Sequence, residues 1–224
     1  IALVSASMQV AALPITLEVV GADWSNVVGG ANVQYINADG VAGNEEIRWG
    51  GRYQTKSGYN FDSVAPPATV VETDTTFSLG TLTHFNNPIT AGTAISGAQL
   101  NISAQLSIGG VALTEGPFNF SFMHDETSNS CSPSPSCAND LVNFSNMSTS
   151  DTFFVNGQEY TLNLMGFFQN GALTDTFNSP EGQSNAAQLL ASFSAPIASV
   201  PEPGSLALLG LGLVGFAARR RAAK

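Results

Sequence analysis

The chain has 224 residues, of which 43% are hydrophobic and only 11% are charged. This balance excludes an intrinsically disordered chain, which requires low hydrophobicity and high charge. Acidic residues outnumber basic residues 17 to 7, for a formal net charge of −10, and the 22 glycines and 11 prolines disfavour an all-helical bundle. An acidic chain repels phosphate backbones, so we expect no nucleic-acid partner.

The first twelve residues, IALVSASMQVAA, are small or apolar and uncharged. They are typical of the late part of a secretory signal peptide, and Val10-Ala11-Ala12 provides the small side chains that signal peptidase requires. A first β-strand is the alternative interpretation. We interpret residues 1–12 as the remnant of a signal peptide and begin the folded domain at residue 13.

Residues 13–199 are dominated by an alternation of apolar and polar side chains, which is typical of half-buried β-strands. The alternation is clearest over residues 100–108, where Leu, Ile and Ala alternate with Asn, Ser and Gln, and over residues 118–122, where every second residue is Phe. Several short strands separated by turns predict a single antiparallel β-sandwich of jelly-roll type over 13–199.

Two dipeptides predict hairpin turns within this domain. Gly109-Gly110 and Asn156-Gly157 are both flanked by alternating runs, and both favour the positive φ angles of a tight turn. Only residues 186–192 offer any helical periodicity. Weaker strand patterns lie at 16–20, 33–36, 46–49 and 77–85.

The strand predicted from Phe77 ends in Thr83-His84-Phe85-Asn86, just before Asn87-Pro88 stops it. Strict alternation places Phe77 and Phe85 on one largely apolar face, and His84 and Asn86 together on the other. Polar side chains at a strand end can bind backbone groups that the ending ladder leaves unpaired. We therefore expect a structural role for His84 and Asn86, with a binding or catalytic role as the alternative.

A second polar stretch, His124-Asp125-Glu126, directly follows the alternating phenylalanines. It is either a polar loop or part of a calcium site, because calcium binds clustered carboxylate and carbonyl oxygens. The EF-hand pattern D-x-[DN]-x-[DN]-G is absent. We retain His124, Asp125 and Glu126 as candidate metal ligands, and we expect no cofactor other than this possible Ca²⁺.

The sequence contains no motif for catalysis. Neither the G-x-S-x-G context of a serine hydrolase nor the H-E-x-x-H motif of a zinc protease occurs. The adjacent carboxylates Glu45-Glu46 and Asp125-Glu126 do not suit a glycosidase, because neighbouring side chains on a strand point to opposite faces. We predict that the protein is not an enzyme; a secreted hydrolase whose carboxylates meet only in the folded chain is an alternative.

Three aromatic residues, Trp24, Trp49 and Tyr53, are candidates for an exposed platform on which sugar rings stack. Burial is the favoured interpretation, because Ile47 and Trp49 share one strand face and such aromatic side chains usually belong to a core. A carbohydrate-binding module is therefore an alternative to our main hypothesis.

Residues 200–224 contain three parts in order: Pro201-Glu202-Pro203, fifteen apolar or small residues, and Arg219-Arg220-Arg221. The apolar part predicts a short transmembrane helix, since a full span needs roughly twenty residues, with its arginines on the cytoplasmic side. The three parts resemble the PEP-CTERM sorting signal of exported proteins in Gram-negative bacteria that make exopolysaccharide. The resemblance implies transient inner-membrane anchoring, cleavage near the PEP triplet by an exosortase, and delivery to the cell surface or extracellular matrix.

Cys131 and Cys137 are the only cysteines, and they enclose a Ser/Pro loop. Two close cysteines in an exported protein are exposed to an oxidising compartment, which favours a disulfide bond between them. Free thiols and a metal site are the alternatives, but the loop offers few other soft ligands. We predict a Cys131–Cys137 disulfide.

Several segments of the body together resemble the THxN family of PEP-CTERM proteins, which is named for a Thr-His-x-Asn motif, here Thr83, His84 and Asn86. The related choice-of-anchor K domain shares much of this layout. The resemblance implies export and a single domain, and it supplies no catalytic residues. Its segments are 23–35, 43–50, 57–63, 77–89, 122–127, 161–168 and 179–193.

These observations together predict a non-catalytic β-sandwich that is displayed at the cell surface or released into an exopolysaccharide or biofilm matrix. The first alternative is a carbohydrate- or calcium-binding module in the same place, and the second is a secreted hydrolase.

Overall fold

The alternating runs of the sequence form β-strands in the computed structural model of the chain. The structure describes residues 13–37, 43–64, 69–129, 138–144 and 150–195. These described residues contain no α-helix. They form fourteen strands: β1 (Ile15–Gly29), β2 (Gln34–Ile36), β3 (Asn44–Trp49), β4 (Ser57–Ser63), β5 (Thr69–Val71), β6 (Thr76–Asn86), β7 (Ile95–Ile108), β8 (Val111–Asp125), β9 (Asp140–Phe144), β10 (Ser150–Val155), β11 (Gln158–Gln169), β12 (Ala172–Thr174), β13 (Thr176–Ser179) and β14 (Gln183–Ser194).

The strands form two antiparallel sheets that pack as a sandwich, which confirms the predicted fold class. The first sheet has the strand order β13-β9-β8-β7-β1-β5. The second has the order β10-β11-β14-β6-β4-β3-β2, with β12 paired to β11. All of the described body lies in one compact unit, Leu13–Ala195. The predicted signal-peptide remnant, the two cysteines and the C-terminal sorting helix lie outside the described residues.

Both predicted hairpins are present. Gly109 and Gly110 join β7 to β8 with φ angles of 56° and 83°, and Asn156 and Gly157 join β10 to β11 with φ angles of 52° and 79°. Two consecutive positive φ angles match the right-handed twist of the flanking strands. The alternation in β7 is also confirmed, since Leu100, Ile102, Ala104, Leu106 and Ile108 are all buried.

Strand β6 departs from strict alternation because it contains a β-bulge. Its Gly80 pairs with Leu189, while Ser78 pairs with the next residue, Leu190, so that Leu79 is the extra residue. A bulge exchanges the inward and outward positions of the residues beyond it. The prediction that Phe77 and Phe85 share a face is therefore wrong. The buried residues of β6 are Phe77 and Leu79 before the bulge, and Leu82, His84 and Asn86 after it.

The helical periodicity noted over residues 186–192 is not realised. These residues belong to β14, which lies between β11 and β6 in the second sheet. Ala187, Leu189 and Ala191 are buried on one face of that strand, so pairing on both edges overrides local helix propensity. Within the part of the chain that the structure describes, no helix of the length and hydropathy of a membrane span is found.

Candidate functional site

A group of ionisable side chains is enclosed between the two sheets. His84 extends from β6 of the second sheet, whereas His124 and Asp140 extend from β8 and β9 of the first. His84 and Asp140 are 0% exposed and His124 is 6% exposed. Glu126 and Glu181 lie beside them and are partly buried. We call these five residues the histidine–carboxylate cluster.

The His84 ring is held by one of its two nitrogens. Its Nδ1 lies 2.8 Å from the Oγ of Ser179 on β13, and the same Oγ accepts a hydrogen bond of 2.8 Å from Asn185 Nδ2. Asn86 Nδ2 donates to the backbone oxygen of Ser179 over 2.8 Å. His84 Nε2 is buried and has no hydrogen-bond partner. Ser179 thus connects β6 and β14 of the second sheet to the first sheet.

The His124 ring, which extends from the first sheet, is held through its Nδ1 atom by a residue of the second sheet. Its Nδ1 lies 2.6 Å from the hydroxyl of Tyr59 on β4. Its Nε2 lies 3.2 Å from Glu126 Oε2 and 3.9 Å from Asp140 Oδ2. The Nε2 atom of His124 therefore faces the carboxylates, while the Nδ1 atom faces Tyr59.

Asp140 is also held by one atom and leaves the other without a partner. Its Oδ1 accepts hydrogen bonds from the backbone N–H of Thr127 at 2.9 Å and from the Thr127 hydroxyl at 3.3 Å. Its Oδ2 is buried and makes no hydrogen bond. The same is true of Glu126 Oε1 and of both carboxylate oxygens of Glu181. Buried polar atoms without a partner are rare in folded proteins.

Two aromatic side chains enclose the histidines. Trp49, at the end of β3, stacks on His84 with a centroid separation of 6.0 Å and packs edge-on against His124 at 5.3 Å. Tyr59 contacts His84 at 5.1 Å and His124 at 5.7 Å. These rings keep water away from the imidazoles, so the charges and dipoles in the cluster act in a poorly screened environment.

Burial changes the protonation of the cluster. It lowers the pKa of His84 well below the usual value, with smaller contributions from His124 and Arg48, so the imidazole is neutral at pH 7. Burial raises the pKa of Asp140 to about 7, opposed by the Thr127 N–H and aided by the charge of Glu126. The pKa of Glu181 is also raised by burial and by Glu126. The neighbouring His124 acts in the opposite direction and lowers the pKa of Asp140, but burial has the larger effect.

The geometry suits coordination of a cation. One donor atom from each of His84, His124 and Asp140 lies within 4.8 Å of the others, and the same holds for Glu126, Asp140 and Glu181. Neutral imidazole nitrogens and carboxylate oxygens are the donors that divalent metals bind in proteins.

The residues predicted from the sequence divide between the cluster and the surface. His124 and Glu126 belong to the cluster, but Asp125 between them is exposed on the opposite strand face. His84 and Asn86 share one face, as predicted, and the bulge turns that face inward, whereas Thr83 is half-buried on the other face. The predicted burial of Trp24 and Trp49 is confirmed, but the same prediction for Tyr53 is wrong, because its side chain is 93% exposed.

Sequence reasoning missed Asp140, Glu181, Ser179 and Tyr59. Asp140 follows the cysteine loop and begins a strand, whereas Ser179 ends a strand of only four residues and Glu181 lies two residues beyond it. Neither place has a local motif that indicates a ligand. The only local signal for the cluster was the spacing of His124 and Glu126, which are two residues apart and therefore lie on the same strand face.

Comparison with known protein families matches residues 199–221 to the PEP-CTERM protein-sorting motif. The match covers Pro201-Glu202-Pro203 and the three arginines 219–221, which the sequence analysis identified as a sorting signal. The chain thus carries the tail of an exported protein that is targeted to exosortase and sorted to the cell surface. A search of curated proteins gives no match.

Proposed function

We propose that this protein is a non-catalytic component of the cell envelope or extracellular matrix of an exopolysaccharide-producing Gram-negative bacterium. In this proposal the β-sandwich is anchored briefly in the inner membrane by its tail, cleaved near Pro201-Glu202-Pro203, and then retained at the surface or in the matrix. The observation that carries the proposal is the sorting motif over residues 199–221. The resemblance of the body to the THxN family, through Thr83, His84 and Asn86, belongs to the same proposal.

The burial of the candidate site supports a role without catalysis. Ser179, His84 and Asp140 have the composition of a hydrolase triad, and Ser179 Oγ lies 2.8 Å from His84 Nδ1. A nucleophile must reach a substrate carbonyl, however, and Ser179 is 0% exposed. Its Oγ also accepts a hydrogen bond from Asn185. This serine is built into the interior rather than presented to a substrate.

The aromatic residues favour a scaffold over a carbohydrate-binding module. Trp24 is buried and donates its indole N–H to the backbone oxygen of Glu45 over 2.8 Å. Trp49 is 0% exposed and packs on the two histidines. Only Tyr53 of the three candidate aromatics is free to stack on a sugar ring, and one ring is a weak platform.

The sorting part of the proposal is tested by fractionation of the native organism, in strains with and without the exosortase. We expect the surface or matrix protein of the first strain to lack residues from Pro203 onward, and the second strain to retain the unprocessed chain in its membranes. Deletion of residues 219–221 should also block processing. Deletion of residues 222–224 is the matched control, because it shortens the tail equally and keeps the arginines.

An intact C-terminus on protein recovered from the surface would contradict this proposal. The non-catalytic part has its own test, in which the purified protein is incubated with isolated matrix polysaccharide and with a glycan array, with and without Ca²⁺. Release of reducing ends would identify a hydrolase. Calcium-dependent retention of a defined glycan would favour the binding module instead.

A further inference from the structure

We propose that His84, His124 and Asp140 bind a zinc-type divalent transition-metal ion between the two sheets, with Glu126 and Glu181 at its more open side. This metal site goes beyond the proposed function. It is independent of the sorting motif, because it depends only on the geometry of the buried side chains.

The first argument concerns atoms that the fold leaves without partners. His84 Nε2 and Asp140 Oδ2 belong to fully buried side chains, and neither makes a hydrogen bond. Both residues offer a donor atom within 4.8 Å of one from His124. Leaving two such atoms unsatisfied in the interior is costly. A metal ion among them would satisfy both at once.

The second argument concerns the atoms that are already engaged. The two histidines contact a hydroxyl group through Nδ1, His84 through Ser179 and His124 through Tyr59. A proton on Nδ1 donated to such an oxygen leaves the Nε2 lone pair for a metal; this Nε2 has no partner in His84 and lies 3.2 Å from Glu126 Oε2 in His124. Asp140 likewise uses Oδ1 for Thr127 and leaves Oδ2 available. In each of the three proposed ligands, one polar atom is held by a hydrogen bond and the other faces the metal position. Hydrogen bonds of this kind orient metal ligands in proteins.

The third argument concerns charge. Three carboxyl groups, those of Glu126, Asp140 and Glu181, lie together. Among the described residues, no Lys or Arg forms an ion pair with any of them, and Arg48 pairs with Glu46 instead. The only base within ion-pair distance of them in the described chain is His124, 3.2 Å from Glu126 Oε2 and 3.9 Å from Asp140 Oδ2, so at most one positive charge faces three carboxyl groups. A divalent cation supplies the missing charge.

The donor set selects the class of metal. Ca²⁺ and Mg²⁺ prefer oxygen ligands alone, so two imidazole nitrogens disfavour the calcium site that the sequence suggested. Imidazole with carboxylate suits Zn²⁺, which binds about four ligands. An ion at this enclosed position would join the two sheets through its ligands, because His84 belongs to β6 of one sheet and His124 and Asp140 belong to β8 and β9 of the other.

The test uses the full chain in mild detergent, stripped of metal with EDTA and then dialysed. Calorimetric titration with ZnCl₂ is expected to show one tight site per chain, and CaCl₂ at the same concentration should show none. Titration of wild-type protein with ¹⁵N-labelled histidine should shift the Nε2 resonances of both rings on addition of Zn²⁺. This measurement needs no variant and therefore does not depend on whether a variant folds.

Variants then locate the site. Asp140→Asn and His84→Gln should abolish the tight site, and Tyr59→Phe should weaken it by about 10–100-fold by removing the hydroxyl beside His124. Asp125→Asn is the matched control: it removes a carboxylate adjacent to His124 in sequence but exposed on the other face, and should leave zinc affinity unchanged. Circular dichroism checks that each variant is folded.

Three results would overturn the proposal. The first is a wild-type protein whose histidine resonances do not move on addition of Zn²⁺, which means adventitious surface zinc only. The second is loss of binding in Asp125→Asn as large as in Asp140→Asn. The third is Ca²⁺ binding that competes with zinc at equal concentration, which would assign the carboxylates to a calcium site.

Discussion

Two buried regions of the sandwich lie side by side and differ in whether the described chain supplies partners for all of their atoms. The first is an aromatic core formed by Phe122, Phe144, Phe167 and Phe177, in which Phe144 and Phe167 stack across the two sheets at 4.4 Å. The second is the histidine–carboxylate cluster. The aromatic core is complete in itself, because apolar packing requires only shape and contact. The cluster contains polar atoms for which the described chain supplies no partner.

The same strand faces build both regions. On β8, Phe122 and His124 are two residues apart, and on β13 the same spacing separates Phe177 from Ser179. Asp140 likewise begins β9, whose other end carries Phe144. The alternation that directs the phenylalanines inward therefore also directs the polar residues inward. A change of residue type at the end of each inward row converts an apolar core into a polar cluster.

The largest expected effect is in the aromatic core. Phe167 is 0% exposed and contacts the rings of Phe122, Phe144 and Phe177. Phe167→Ala should lower the free energy of unfolding by about 3–5 kcal/mol, because it leaves a cavity. Urea denaturation measures the change, with and without EDTA. The exposed neighbour Phe168 is the control, and Phe168→Ala should remain within about 0.5 kcal/mol of wild type.

The next effect separates the two regions by their response to metal. Zinc at 100 times its dissociation constant should raise the free energy of unfolding of the wild type by about 2.7 kcal/mol, because it binds only the folded state. Phe167→Ala should keep this increment and Asp140→Asn should lose it. The measurement is the urea midpoint in zinc and in EDTA. If zinc raised the free energy of unfolding of Asp140→Asn as much as that of the wild type, the cluster would not be the zinc site.

A smaller effect belongs to Asn86, which supports the cluster without being a proposed ligand. Its Nδ2 donates to the Ser179 backbone oxygen. Asn86→Ala should cost about 1–3 kcal/mol in EDTA, the cost of leaving a buried polar partner unsatisfied. The exposed strand residue Asn119 provides the control substitution. If Asn86→Ala unfolds like wild type but no longer binds matrix polysaccharide, this edge is a binding site instead.

The smallest expected effect has the opposite sign. In EDTA, Asp140→Asn should unfold at the same urea concentration as wild type or at a higher one, because the amide keeps Oδ1 for Thr127 and removes a carboxylate whose charged form burial disfavours, raising its pKa to about 7. Phe167→Ala, in contrast, should lower the free energy of unfolding both in zinc and in EDTA. A clear loss of stability in metal-free Asp140→Asn would show that the carboxylate already has a partner.

The fold was largely predictable because its signals are local. The alternation in β7 and the Asn156-Gly157 turn depend on neighbouring residues only, and both predictions are confirmed. The face of β6 was not fully predictable, because the extra residue at Leu79 is visible only in the pairing with β14. For the same reason residues 186–192 suggested a helix: a central strand is defined by two partners that are distant in sequence.

The cluster was predictable only in part. His84 with Asn86 and His124 with Glu126 follow from alternation within one strand. Their meeting does not, because the hydrogen bond between His84 and Ser179 joins residues 95 positions apart. Alternation also places Asp125 and Glu126 on opposite strand faces. The three consecutive residues predicted as metal ligands could therefore not all face the same ion. Asp140 and Glu181 carry no local signal at all.

The position of β14 has a consequence for the order of folding. It is the last strand of the described body, yet it lies between β11 and β6 near the middle of the second sheet. Pairing between distant segments is slow, since a long loop must close before any contact forms. The second sheet therefore cannot close until Ser194 has been synthesised and is free to pair. The part of the sheet formed by β10, β11 and β12 therefore joins the part formed by β6, β4, β3 and β2 only through β14, so this sheet is completed after nearly the entire body has been synthesised.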